Sequence, residues 1–128
     1  MMSSTMHVEF DEPRLADEVE KLTAEAVDRL SFGVIRVDTA GVVQCFSKPE
    51  GDLSGYGSRP ALGLNFFTDI APCMNNDQFL GRIEHARATG TLDIEFGYVG
   101  DFSDKERELR VRIQSSSTGG YWIFIQRL

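Results

Sequence analysis

The sequence predicts an α+β fold: a five-stranded antiparallel sheet flanked by short helices, with a helical cap at the N-terminus. Three observations predict it. Apolar residues recur at helical spacing between Leu15 and Leu30. Five short runs rich in β-branched and aromatic residues follow, two of them early and three late. Between these groups lies a stretch dense in glycine and proline that gives way to one clear helix.

The first ten residues show no period. From Asp11-Glu12-Pro13 onward, Leu15, Val19, Leu22, Val27 and Leu30 mark an amphipathic segment, continuous or broken, so residues 1–30 are expected to form the cap and 31–128 the core of one domain. Val34-Ile35-Arg36-Val37-Asp38 and Val42-Val43-Gln44-Cys45-Phe46 flank Thr39-Ala40-Gly41 and read as a hairpin. Lys48 to Gly63 carries four glycines and two prolines, which leaves room only for short helical turns and loops. Asn65-Phe66-Phe67-Thr68-Asp69-Ile70 packs inward and is stopped by Pro72, with Cys73 directly behind. Asn75-Asn76-Asp77 offers N-caps for a helix through Phe79, Leu80, Ile83 and Ala86 that closes at Thr89-Gly90. Thr91 to Val99, Arg107 to Gln114 and Tyr121 to Arg127 are the last strands, and Leu109, Val111 and Ile113 alternate with Arg110 and Arg112. Ser115 to Gly120 makes the final turn, and the helices are expected on one face. A sheet half-wrapped in this way around a glycine-dense segment commonly encloses a small ligand and is the arrangement of a PAS-type sensor. The fold alone does not specify a function.

With 128 residues, 41% hydrophobic and 26% charged, the chain fits one hydrophobic core. Thirteen basic against 20 acidic residues give a net charge of −7, which repels phosphate backbones and anionic lipid, so neither nucleic acid nor a membrane is expected as partner. No apolar run approaches the roughly 18 residues of a membrane span. The opening MMSSTMHVEF lacks the features of a signal peptide, and the reading is a cytoplasmic monomer. Cys45 and Cys73 are too few for a disulfide scaffold and read as free thiols.

The usual enzyme constellations are missing. Gly55-Tyr56-Gly57-Ser58-Arg59-Pro60 starts like a dinucleotide loop but lacks the third glycine and the strand–helix context. His7 and His85 are distant in sequence, read as surface residues, and support no metal site. Cys73 with His85 could make a thiol nucleophile and base, but no orienting third group is recognisable. The chain is therefore read as a non-enzyme. Taken singly, Glu50 reads as a solvated loop carboxylate and Cys73 as an inert buried corner.

Four blocks change that reading: Leu30-Ser31-Phe32-Gly33-Val34-Ile35, Glu50-Gly51-Asp52-Leu53-Ser54-Gly55, Gly63 to Cys73, and Tyr121-Trp122-Ile123-Phe124-Ile125. In order and near-spacing they resemble the photoactive yellow protein family, over nearly the whole chain. The resemblance implies a blue-light receptor carrying p-coumaric acid as a thioester on Cys73. It implies a buried phenolate that accepts a hydrogen bond from a protonated Glu50, supported by the hydroxyl of Ser54. Burial agrees with this, because two neighbouring acids in low dielectric are not both ionised cheaply. By the same resemblance, Ile35, Phe66, Ile70, Ala71 and Phe102 line the chromophore, and core packing accounts for each equally well. Light would isomerise the chromophore, Glu50 would pass its proton to the phenolate, and the bare carboxylate left behind would loosen the structure and release the cap. A downstream signalling protein is the implied partner.

Several positions depart from the family, among them Ser54 in place of threonine and a Ser115–Gly120 turn one residue shorter. Phe46 stands where a tyrosine donates a second hydrogen bond, which should raise the phenol's pKa and shift absorption to the red. Ser54 is the first candidate to replace that donor, with Cys45 or water behind it. Tyr56 replaces a shielding arginine, so the cation is lost and aromatic cover is expected. Asp104 replaces a methionine that assists recovery, which points to slow reversion. The alternatives are a chromophore-free PAS module that binds a ligand or a partner and, more distantly, a thiol enzyme.

Overall fold

A computed structural model of the chain describes residues 8–90 and 92–128. His7 and Thr91 lie outside these residues, as does the start of the expected cap.

The amphipathic N-terminal segment is broken into α1 (Leu15–Glu20) and α2 (Ala24–Val27). Thr23 causes the break by capping a new helix, its side chain accepting the Ala26 N–H at 3.1 Å. The hairpin is β1 (Gly33–Val37) and β2 (Val43–Phe46), with a register shift at Arg36/Val37. The glycine-rich stretch holds a seven-residue helix, α3 (Lys48–Ser54), between the Ser47 cap and Gly55, whose φ of +88° ends it in the left-handed conformation. A π-helical turn follows at Phe66–Ile70, capped by the Asn65 side chain, then a 3-10 turn at Pro72–Met74 and α4 (Leu80–Ala88). Asn76, among the expected caps, accepts from the N–H groups of Gln78 and Phe79 ahead of α4. The last strands are β3 (Asp93–Val99), β4 (Glu108–Ser115) and β5 (Tyr121–Arg127).

All five strands pair antiparallel in the order β2-β1-β5-β4-β3, which makes β5 the centre. Strand alternation then divides the apolar residues between two faces. Ile35, Ile123, Ile125, Val111 and Ile113 pack with α4 and the π-helical turn. Val34, Trp122 and Phe124 pack with Phe10, Leu15, Val19 and Val27 of the N-terminal segment. The expected one-sided layer therefore describes α3 to α4, while the cap buries a second apolar cluster on the opposite face. The reason is that β1 and β5 are apolar at both parities, as a strand covered on both sides must be.

Polar side chains reinforce the cap. Arg112 is buried and donates from Nη1 to the Phe10 and Glu12 carbonyls, each at 2.6 Å, and from Nη2 to the Pro13 carbonyl at 3.2 Å. Gln114 accepts the Ala16 N–H at 2.7 Å, and the Trp122 indole donates to Glu20 at 2.7 Å.

Candidate functional site

On the α4 side, α3, the π-helical turn, the 3-10 turn and the loop after β3 converge on one cavity. Ser47 starts α3 and fixes Glu50 in its first turn: its hydroxyl accepts the N–H groups of both Glu50 and Val34, which ties the helix to β1. Gly51 allows the helix to lie close to the following loop, since a β-carbon there would overlap the Gly57 carbonyl.

Eight of the ten residues named from sequence line this cavity: Phe46, Glu50, Ser54, Tyr56, Phe66, Ile70, Ala71 and Phe102. Met74 and Asp101 join them. Ile35 packs fully buried in the same apolar cluster without lining the cavity. Cys73 is not in the lining either; it is exposed, a free thiol on the turn between the lining residues Ala71 and Met74. The expectation of an inert buried corner is thus corrected: the 3-10 turn buries Met74 inward and leaves Cys73 outward. Tyr98 and Asn76 anchor that turn by donating to the Cys73 carbonyl at 2.7 and 3.0 Å. The enclosed space is about 10 Å³, room for roughly one water molecule.

Glu50 is buried, which corrects the solvated-loop reading, and it is not alone. Arg127 Nη1 and Nη2 donate to its two oxygens at 2.8 and 3.0 Å. The same guanidinium donates from Nε and Nη2 to Asp101 at 2.9 and 3.0 Å. All three side chains are at most 6% exposed. Burial pushes the Glu50 carboxyl up, the Arg127 bonds and charge pull it down, and Asp101 pushes it up again. A Glu50 carboxylate in this chain therefore has a counterion in contact, which corrects the expectation of a bare buried charge. Partial burial also pushes the thiol of the exposed Cys73 residue up, and Asp101 adds to it against a backbone hydrogen bond that lowers it.

The departures resolve as follows. Ser54 is buried beside Glu50; its oxygen accepts the Tyr56 N–H at 3.1 Å and keeps a long 3.5 Å contact to the Gly51 carbonyl. Cys45 packs toward the cap, on the other side of the sheet from the cavity, so it is not placed to substitute for the missing donor. Tyr56 does give aromatic cover, edge-on to Phe102 at 5.3 Å, with its hydroxyl donating to the Pro60 carbonyl at 2.6 Å. A cation is nevertheless present, because Arg59 lies over the Tyr56 and Phe102 rings at 5.7 and 5.2 Å. Asp104 is exposed, bonds the Glu106 N–H and does not line the cavity. Sequence reasoning missed Arg127, Asp101, Met74 and Arg59.

The chain is 35% identical over 117 residues to the photoactive yellow protein of Rhodothalassium salexigens, covering 88% of this chain and 94% of that protein. It is 30% identical over 122 residues to the photoactive yellow protein of Halochromatium salexigens, covering 94% and 98%. The chain belongs to the photoactive yellow protein family. No family model matches it. Among solved structures, the photoactive yellow protein domain of the sensor histidine kinase Ppr from Rhodospirillum centenum superposes with a TM-score of 0.77 at 34% identity, covering 87% of this chain and 98% of that domain. A PAS domain from Colwellia psychrerythraea, with a TM-score of 0.62 at 15% identity, shares the fold. Family membership supports a light-sensing PAS photoreceptor with a role in sensory signalling, and photoactive yellow proteins are photoreceptors rather than enzymes. Among the described residues no helix is long and apolar enough to cross a membrane.

Proposed function

We propose that the chain is a blue-light photoreceptor carrying p-coumaric acid as a thioester on Cys73, with Glu50 and Ser54 as partners of its phenolic end. One observation carries this reading: a free, exposed thiol sits on a turn whose flanking residues line a cavity that also contains a buried carboxyl and a buried hydroxyl. The residues fit the group. The thiol can be acylated, the walls are largely aromatic and aliphatic, and the polar side chains are Glu50 and Ser54 on α3 with Asp101 on the loop after β3. A space of about 10 Å³ is too small for an aromatic ring, so admitting one would require the lining side chains to move apart. In loading, the Cys73 sulfur bonds the acyl carbon of an activated donor and the donor's leaving group departs with the thiol proton. Because burial raises the thiol pKa, the leaving group rather than a ready thiolate drives that step.

When bound, p-coumarate would supply visible absorption and a photoisomerisable double bond. Glu50 would hold a proton in the dark, burial and the Asp101 charge favouring the neutral form against the opposing Arg127 bonds, and would give it up after illumination. Ser54 turns its hydroxyl from the long Gly51 contact toward the ligand. Phe46 supplies no donor, so with the group bound the phenolic pKa would be raised and absorption shifted to the red. Signal then passes through loosening of the cap, which α1, α2 and the Arg112, Gln114 and Trp122 bonds hold to β4 and β5. The partner would be a signalling protein, as suggested by a related domain that sits in a sensor histidine kinase.

The test is the absorption spectrum after reconstitution with activated p-coumarate. A pH-sensitive visible band that is absent in Cys73→Ala supports the reading, and a colourless protein sinks it. The small cavity favours a second reading, a chromophore-free PAS module. Colourless protein with Cys73 unmodified by mass would select that alternative.

A further inference from the structure

Arg127 and Asp101 do not touch the bound group in the scheme above, yet with Glu50 they form a buried polar cluster. Three elements build it. Strand β5 carries Arg127, the loop after β3 carries Asp101, and α3 carries Glu50. Strand β1 makes the space: a β-carbon at Gly33 would overlap a Glu50 carboxylate oxygen and lie 2.9 Å from Arg127 Nη1. Among the described residues Arg107 is a further charged neighbour, its Nη1 4.0 Å from Asp101 and bonding the Leu53 carbonyl at 3.1 Å, and the Cys73 thiol also feels the Asp101 charge. From the π-helical turn the cavity receives only the apolar Phe66 and Ile70.

The bonds use four of the five guanidinium N–H groups of Arg127, two for each carboxyl. One buried cation is thus divided between two buried acids. We propose that Arg127 is a positioning residue that sets the proton affinity of Glu50, and that Asp101 tunes it by competing for the same guanidinium. This deepens the reading of Glu50 as the proton-holding acid. Its consequence is that a Glu50 carboxylate, once formed, is caught by a counterion already in place, which damps the opening that an unpaired charge would drive. The strength of the light signal in this chain is then set by how Arg127 divides itself between the two acids.

The two arms of the cluster make predictions of opposite sign, which a merely structural role would not. In the protein as isolated without pigment, the Glu50 carboxyl is followed by carbon NMR through a pH titration, its resonance assigned by loss in Glu50→Gln. Arg127→Gln should raise the Glu50 titration by at least about one pH unit, a tenfold gain in proton affinity. Arg127→Lys should fall between, keeping the charge without the fork. Asp101→Asn should lower it, because the guanidinium then serves Glu50 alone. An unmoved titration in either Arg127→Gln or Asp101→Asn, or movement of both in the same direction, overturns the proposal. If Arg127→Gln does not fold, Asp101→Asn decides alone, and a rise or no change overturns it. The titration needs no pigment, so a colourless reconstituted protein would end the photoreceptor reading without touching this one.

Discussion

Replacing Arg112 by leucine should undock the cap while leaving the sheet intact. The residue is 7% exposed, and among the described residues its three hydrogen bonds all run to backbone carbonyls of residues 10–13, with no carboxylate partner. Leucine keeps apolar bulk on β4 but leaves the Phe10 and Glu12 carbonyls without that donor and removes one of two from the Pro13 carbonyl, which Gln114 Nε2 still serves at 3.0 Å. The Phe10 carbonyl contact is fully buried and the other two are partly buried. An orphaned buried acceptor costs about 1–3 kcal/mol and a lost partly exposed bond about 0.5–1.5. The relieved burial of an unpaired guanidinium offsets part of the sum, which leaves about 3 kcal/mol, on the order of 100-fold in the docking equilibrium. The assay is amide hydrogen exchange resolved by residue. Amides of α1 and α2 should exchange about 100-fold faster, while those of β4 and β5 change by less than about threefold, because the cap opens as its own unit. Equal acceleration in cap and sheet would refute separable docking, and no acceleration in either would refute the latch.

Three other outcomes follow from the same geometry. Gly33→Ala should displace the Glu50–Arg127 pair, since the added carbon falls on the carboxylate; a loss of about 1–3 kcal/mol in urea unfolding, with a changed Glu50 titration, is expected. Ordinary stability with an unchanged titration would show that the pair does not occupy that space in solution. Tyr121 is pushed up to about 12, chiefly by burial, so its phenolate absorbance should rise near pH 12 rather than near the ordinary value of 10.0. A raised folded value means the stabilisation is complete below the ordinary value and is lost as pH rises through that window, so alkaline unfolding should steepen between the two; a Tyr121 step at the ordinary value would contradict the burial. In pigment-loaded protein, Phe46→Tyr should restore a donor, lower the pH at which colour is lost and move the band to the blue; an unshifted band would place position 46 away from the phenolic end.

Much of the fold was legible because period and parity are physical constraints. Helical spacing marked the cap, and alternation at Leu109, Val111 and Ile113 set the inner face of β4. What was read poorly was polar burial. Arg110 and Arg112 alternate with the apolar residues of β4, yet the cap folds over Arg112, and one strand's pattern does not announce a second layer. Ser47-Lys48-Pro49-Glu50 is a serine cap with an acid three residues on, a start signal for α3 that glycine density hid. Arg127 could have been found by counting in twos along β5, since Tyr121, Ile123, Ile125 and Arg127 share the cavity face. Asp101 had no such signal, because its place depends on how the loop after β3 folds back. Arg59 likewise reaches Tyr56 and Phe102 only through the path of its loop.

The central claim is that Glu50 loses its proton when the pigment-loaded protein is illuminated. Light-minus-dark infrared difference spectra test it directly, with Glu50→Gln as the assignment. The account predicts loss of a protonated carboxyl stretch and gain of a carboxylate band in the parent protein, both absent in the variant. A coloured, photoactive protein whose carboxyl region does not change, or changes identically in Glu50→Gln, would contradict it.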